Sequence, residues 1–304
     1  MDKKQIAQIL LQQIPESIIK IDEPMKNHTS FKIGGPADIY IAPETTQQLV
    51  FAIEVCKQHQ VPYFILGNGS NLLVKDGGYR GVMIHLFKNM SAITVSDGEV
   101  YAQAGALLVK VANACLEASL TGLEFAHGIP GTIGGAVYMN AGAYGGEIKH
   151  VLISADVIDK KGNLITLSNE ELELGYRTSK VQTGDMIIVG ARLGFEKGDP
   201  EAIQEKMRDL AHQRRTKQPL TVPSAGSTFK RPEGCYAGKL IMDAQLRGCR
   251  IGDAAVSEKH CGFVVNLGEA TSKQVIELIR HIQCTVKEQF GKDLHPELRV
   301  IGED

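Results

Sequence analysis

Between Phe125 and Gly146 the chain runs F-A-H-G-I-P-G-T-I-G-G-A-V-Y-M-N-A-G-A-Y-G-G, with seven glycines and few charges. Glycine loses more chain entropy on folding than any other residue. A folded protein therefore keeps it this dense only where the backbone turns tightly or comes close to something. That something is either another segment of the chain or a ligand. Amide groups freed by such turns point outward as donors, an arrangement that holds a pyrophosphate. A tight structural loop between packed elements is the other reading of the same residues.

The chain is long enough to surround such a stretch with a sizeable core. Its 304 residues suggest two or three domains. With 43% apolar and 22% charged residues it has ordinary globular composition. A net charge of −2 leaves no global field to draw it to nucleic acid or an anionic membrane. No apolar run approaches the roughly 18 residues of a membrane span. The start, M-D-K-K-Q-I-A-Q-I-L-L-Q-Q-I, lacks a signal-peptide core with a cleavage site, so the cytoplasm is the expected location. Cys56, Cys115, Cys235, Cys249, Cys261 and Cys284 show no C-x-x-C spacing. They are expected to be free thiols, mostly buried, with no metal; His260-Cys261 is the nearest thing to a ligand cluster.

Apolar spacing predicts an amphipathic helix over 3–14, with Ile6, Ile9, Leu10 and Ile14 on one face, and another over 46–58. A strand at 39–41 follows N-H-T-S-F-K-I-G-G-P-A. The strand 61–66 ends abruptly in Gly67-Asn68-Gly69-Ser70-Asn71, either a phosphate-gripping turn or a plain β-turn. It is not a Walker loop, and Leu72–Val74 continue as strand rather than opening a helix. A strand at 82–86 and a hairpin around Asp97-Gly98 follow, then a helix over 107–120. A second hairpin joins 151–158 to 164–167; S-N-E-E from Ser168 fits a capping box, and 186–195 is a strand. Asp199-Pro200-Glu201 signals a helix start. That helix ends in Arg208, His212, Arg214, Arg215 and Lys217, either a solvated cationic end or a phosphate site. Small hydroxyls beside cations in T-V-P-S-A-G-S-T-F-K-R-P, 221–232, suit an anionic substrate. A short helix over 238–244 and a strand over 262–267 come next. A long helix runs from a Thr271–Gln274 capping box to Gly291, with Val275, Leu278, Ile279, Ile282 and Val286 inward; the last strand, 295–301, carries Glu297.

Several of these segments together carry a resemblance. They are T-S-F-K-I-G-G-P-A (29–37), L-G-N-G-S-N-L-L-V (66–74), G-I-P-G-T-I-G-G-A-V-Y-M-N-A-G-A-Y-G (128–145), Y-R-T-S (176–179), A-G-S-T-F-K (225–230), A-G-K-L-I (237–241), S-E-K-H-C-G-F-V-V-N (257–266) and P-E-L-R-V-I-G (296–302). Each is weak alone. In this order, over about 27–301, they resemble the UDP-N-acetylenolpyruvoylglucosamine reductase family, the UDP-N-acetylmuramate dehydrogenases of bacterial peptidoglycan synthesis. The resemblance implies an α+β chain: a two-part FAD-binding fold of the vanillyl-alcohol-oxidase type plus a C-terminal α/β substrate-binding domain. The expected division is an N-terminal helix (1–20), FAD subdomains at 21–90 and 91–198, and a substrate domain at 199–304 whose last strand returns to the active site.

By resemblance, the catalytic residues are Arg177, Ser227 and Glu297. NADPH reduces FAD and leaves; the enolpyruvyl sugar nucleotide then takes hydride from flavin N5 at its vinyl carbon and a proton from Ser227. Non-covalent FAD is expected on Gly67, Asn68, Gly69, Ser70, Asn71 and Leu72, and on Gly128, Ile129, Pro130, Gly131, Gly134, Gly135, Asn140, Gly142, Ala143 and Tyr144. His127 is the one position in these loops where a flavin attachment would be chemically obvious. Arg214, Lys217 and Lys230 are candidates for the substrate diphosphate, and Tyr176 for the cleft wall. Only Thr178 to Asp185 separate Arg177 from the next strand, so the chain resembles the family's shorter-loop branch. His260 and Asn266 lie in a family motif without an evident chemical role. Two other readings share part of the pattern. A sugar or lactone oxidase on the same FAD fold explains the loops but not A-G-S-T-F with P-E-L-R. A non-catalytic flavin- or nucleotide-binding protein has no need of Arg177, Ser227 and Glu297.

Overall fold

A computed structural model describes residues 2–304. Packing sorts the chain into two compact units, and neither is continuous in sequence. The first takes the chain up to Lys20, then Ile39–Asn68 and Val82–Arg214; the second takes Ile21–Asp38, Gly69–Gly81 and Arg215–Asp304. This division does not follow the boundaries expected at 90/91 and 198/199.

In the first unit an antiparallel sheet has the order Leu164–Ser168, Leu152–Ile158, Ile187–Gly194, Glu99–Gln103, Ile93–Ser96. The alternation in Glu99–Gln103 turns Val100 and Ala102 into the core. Asp97 and Gly98 join the last two strands with φ of +51° and +84°. Positive φ at both central residues is what a two-residue loop between twisted strands requires. Leu108–Glu117 buries Leu108, Val111, Ala112 and Cys115. Thr46–Gln58 starts where the Thr45 hydroxyl accepts from the Gln48 amide, and buries Leu49, Ala52, Ile53, Val55 and Cys56. Tyr63–Leu66 pairs in parallel with Val82–His85 and delivers the chain to Gly67.

Two local expectations are corrected. The first helix is Lys3–Leu10, shorter than 3–14, although Ile14 still reaches the core. The S-N-E-E segment makes the reciprocal capping bonds, Ser168 N to Glu171 Oε2 at 2.8 Å and Glu171 N to Ser168 Oγ at 3.2 Å, yet only turns follow. The chain must instead reach the Tyr176–Arg177 turn, and the next helix is Lys180–Gly184. The thiols are also less uniformly buried than expected: Cys56, Cys115 and Cys261 are buried, Cys235 and Cys249 half-buried, and Cys284 exposed. Burial pushes the Cys56 and Cys115 thiols up to about 12.

The second unit is built on Ser272–Phe290, whose Val275, Leu278, Ile279, Ile282 and Val286 are buried. The Thr271–Gln274 capping box forms in both directions, and Gly291 ends the helix at φ +65°. A three-stranded antiparallel sheet runs Arg250–Ile251, Ala254–Val256, Val264–Asn266. Leu72–Val74 is buried throughout and pairs in parallel with Arg299–Ile301. That pairing is why Gly69–Gly81 belongs with the C-terminal region. Asp76 strengthens it by accepting the Ser272 amide at 2.9 Å and the Lys273 amide at 3.3 Å. Among the described residues no helix is long and apolar enough to cross a membrane.

Candidate active site

The glycine-rich stretch begins at a buried carboxylate. Glu124 is 3% exposed and accepts from Thr121 Oγ1 (2.6 Å), the Gly122 amide (3.1 Å) and Lys206 Nζ (3.2 Å). Burial alone would raise its pKa; the hydrogen bonds outweigh that and hold the carboxyl below its ordinary range. From this anchor the chain passes His127, whose pKa burial lowers, and reaches the short helix Ile133–Tyr138.

The fold uses some of these glycines itself. The Gly134 amide donates to Ala104 O at 2.8 Å, and a Cβ at Gly134 would sit 3.0 Å from the Ala104 methyl. Gly142 is pressed on Gly146 O and Glu147, in the hairpin Gly142–Ala143 to Gly146–Glu147. Its loop residue Tyr144 is held at φ +53° and stays exposed. The backbone at Gly131 and Gly135 is open instead: a Cβ would meet nothing nearer than 3.7 Å at Gly131 or 3.8 Å at Gly135.

The first loop arrives at the same place. Asn68 Nδ2 donates to Pro130 O at 2.8 Å. A Cβ at Gly67 would lie 2.5 Å from Thr132 Oγ1. That hydroxyl is buried and has no hydrogen-bond partner. Two glycine segments thus converge on an orphaned hydroxyl, beside backbone free of side chains. Such a surface fits a diphosphate, which backbone amides and hydroxyls can grip without steric conflict. The FAD expected on Gly67, Asn68 and the 128–135 run therefore fits the residues present in this unit. Thr132 was absent from the sequence expectations; its place within G-T-I-G-G was the available signal. Arg214 belongs here too, its Cδ packed at 3.0 Å from where a Gly128 Cβ would be. Burial lowers its pKa, partly offset by Tyr144.

Arg177 occupies a turn closed by Gly175 and Thr178, which exchange backbone hydrogen bonds of 3.1 and 3.4 Å. Its φ is +56°, an uncommon conformation for a residue with a long side chain. Asn140 holds this turn from the glycine-rich side. It is 1% exposed, donating to Gly175 O (3.0 Å) and Glu147 Oε2 (2.9 Å) and accepting from Lys149 N (3.0 Å). Its side chain is fully engaged by protein, so a cofactor contact there falls to the backbone. The guanidinium lies over the Tyr176 ring at 5.4 Å, and Tyr176 is exposed.

In the second unit Ser227 and Glu297 lie on neighbouring extended segments. Glu297 N donates to Thr228 O at 2.8 Å, and Phe229 bridges Pro296. Thr228 is fixed behind them: its amide donates to Gly262 O (2.8 Å) and its hydroxyl accepts from Val264 N (2.9 Å). Ser227 itself is exposed. Asn71, expected at the cofactor, has its side-chain amide on Glu297 O at 3.2 Å, while its backbone carbonyl accepts from Arg299 N. Gly69 (buried), Ser70 (half-buried) and Leu72 (buried) lead into the same segment. Lys217 and Lys230 are exposed, and Lys230 N donates to His295 O. Asn266 is buried, its amide on Phe31 O and its carbonyl accepting from Gly268 and Ala270. His260 accepts from Gly262 N and meets the Phe263 ring edge-on at 5.1 Å. Both hold loops.

Residues 218–301 match the family model described as UDP-N-acetylenolpyruvoylglucosamine reductase, C-terminal domain, and residues 37–168 match an FAD binding domain. The chain is 54% identical over 289 residues to a UDP-N-acetylenolpyruvoylglucosamine reductase of Clostridium perfringens (strain SM101 / Type A), covering 95% of each chain. This chain belongs to the UDP-N-acetylenolpyruvoylglucosamine reductase family. Among solved structures, the UDP-N-acetylenolpyruvylglucosamine reductase of Thermus caldophilus superposes with a TM-score of 0.79 at 35% identity, covering 93% of this chain and 98% of that one. Phl p 4.0202, a glucose dehydrogenase, shares the fold alone, with a TM-score of 0.51 at 14% identity over 95% of this chain and 63% of that one. Membership of this reductase family, with its FAD-binding domain, makes the chain an FAD-containing oxidoreductase of the expected α+β class.

Proposed function

We propose that this chain reduces UDP-N-acetylglucosamine enolpyruvate to UDP-N-acetylmuramate in the cytoplasm, with NADPH as electron donor and FAD bound non-covalently. The observation that carries the site assignment is the pairing of the segment that follows Ser227 with the segment of Glu297, through Glu297 N to Thr228 O and the Phe229–Pro296 bridge. When bound, FAD supplies a hydride to the terminal vinyl carbon. The remaining work falls to side chains. Negative charge develops on the adjacent carbon and its carboxylate, and Arg177 holds that carboxylate as a fixed cation. The Ser227 hydroxyl gives its proton to the same carbon, completing addition of hydride and proton across the double bond. A carbanion of this kind is basic enough to take a proton from an alcohol, so the serine needs position more than perturbed acidity. Glu297 orients Ser227 or stabilises the developing charge. Lys217, Lys230 and Arg214 meet the diphosphate through charge-assisted hydrogen bonds, each worth about 1.5–3 kcal/mol. The contact with Gly128 also sets Arg214 against the segment assigned to FAD.

The test separates the half-reactions. The purified protein shows a flavin spectrum and oxidises NADPH in proportion to added enolpyruvyl sugar nucleotide. In Ser227→Ala, NADPH bleaches the flavin at close to the parent rate. Substrate-driven reoxidation then slows by about 10²–10⁴-fold, the usual worth of general acid catalysis. Intact reoxidation in that variant would remove Ser227 from the role.

A further inference from the structure

We propose that Gln182 is a positioning residue for Arg177, acting through the backbone of the Tyr176–Arg177 turn; this rests on the assignment of Arg177 to the substrate carboxylate. Arg177 sits at φ +56°, a conformation that persists in a non-glycine residue only where surrounding contacts over-determine it. Two side-chain amides supply those contacts. Asn140 donates to Gly175 O, on the entering side. On the leaving side, Gln182 Nε2 donates to Arg177 O at 3.2 Å and to Tyr138 O at 2.6 Å. Ser179 Oγ donates to Tyr138 O as well, at 2.8 Å.

One NH₂ group has two hydrogens, so Gln182 can serve both carbonyls at once. It thereby ties Arg177 to the last residue of Ile133–Tyr138, the helix inside the glycine-rich stretch. The guanidinium itself donates to Gly142 O at 3.5 Å, and the backbone that Gln182 holds is where its side chain departs. Gln182 is half-buried and lies within five residues of Arg177, whereas Asn140 is buried with three partners. Gln182 can therefore be altered with the less collateral damage.

The experiment uses the flavin-loaded protein and a double-mutant cycle with Arg177→Ala. Gln182→Met keeps the length and removes both donations. Flavin content and the rate of NADPH bleaching stay near parent values. The kcat/KM of substrate-driven reoxidation falls roughly tenfold, partly through a raised KM for the enolpyruvyl sugar nucleotide, a difference of about 1.4 kcal/mol in transition-state binding. In the Arg177→Ala background the same change adds nothing, because the group it positions is gone. If the Met variant does not load flavin, Gln182→Glu, which keeps the size but cannot donate, takes its place. Parent-like reoxidation in the single variant overturns the inference. So does an equal further loss in the Arg177→Ala background, which marks Gln182 as structural only. If Arg177→Ala itself reoxidises normally, the carboxylate assignment fails first and the positioning role goes with it.

Discussion

Two glycines of the paired loops look alike in sequence and differ in what surrounds them. Gly69 has φ +62°, and a Cβ there would stand 2.1 Å from His28 O. Any side chain at that position strains the backbone and collides with it. Gly131 has ordinary φ and nothing nearer than 3.7 Å. Gly131→Val should therefore leave thermal unfolding of the apoprotein nearly unchanged and weaken flavin binding by about tenfold or more, about 1.4 kcal/mol. Gly69→Val should destabilise the protein whether or not flavin is present. Flavin titration of the apoproteins, followed by fluorescence, separates the two. Full flavin affinity in a folded Gly131→Val would count against close approach of the cofactor at that backbone. The same contrast applies to asparagines. Asn140 and Asn71 were expected at the cofactor and Asn266 stands in a motif without an evident chemical role, and each has its amide bound to a backbone carbonyl of this chain.

At the level of elements, local rules were readable wherever one local force decides. The Asp97-Gly98 hairpin, the Asp199-Pro200 helix start and the Thr271–Gln274 box all formed where expected. The S-N-E-E segment shows the limit: its capping bonds are made, but seven residues after Ser168 the chain must already be at Gly175, and no helix propagates. Glu124 is the element-scale device for the glycine-rich stretch, tying its start to Lys206 of Pro200–Lys217. Its folded pKa is depressed. The stability it contributes is thus complete above the unfolded carboxylate value of about 4.3 and is lost as pH falls through the lower folded value. Glu124→Gln should cost about 1.5–3 kcal/mol near pH 7. Urea unfolding from pH 7 down to 3 should show the variant and parent curves converging in acid. Parallel curves over that range would mean the carboxylate is not what the stretch is anchored by.

Across the whole molecule, residues far apart in sequence complete each unit. The core of the second unit takes Phe31, Ile33 and Leu73 together with Ile241, Val256 and Leu278. A fragment of residues 199–304, the substrate domain expected from sequence, lacks the first three and the strand that pairs with Arg299–Ile301. Expressed alone it should show helical far-UV dichroism without a cooperative thermal transition, since its last strand and one face of its long helix have no partner. A sharp transition for the fragment would mean that those apolar contacts are dispensable. By itself the sequence determined the elements whose causes are local, such as caps, two-residue hairpin turns and the period of buried faces. It also determined the family, through the order of its motifs. Tertiary structure decided which glycines and asparagines serve the fold, that Thr132 is left without a partner, and that Gln182 reaches Arg177 O. Those outcomes depend on which distant backbone atom arrives within about 3 Å of a side chain, a distance no spacing along the chain encodes.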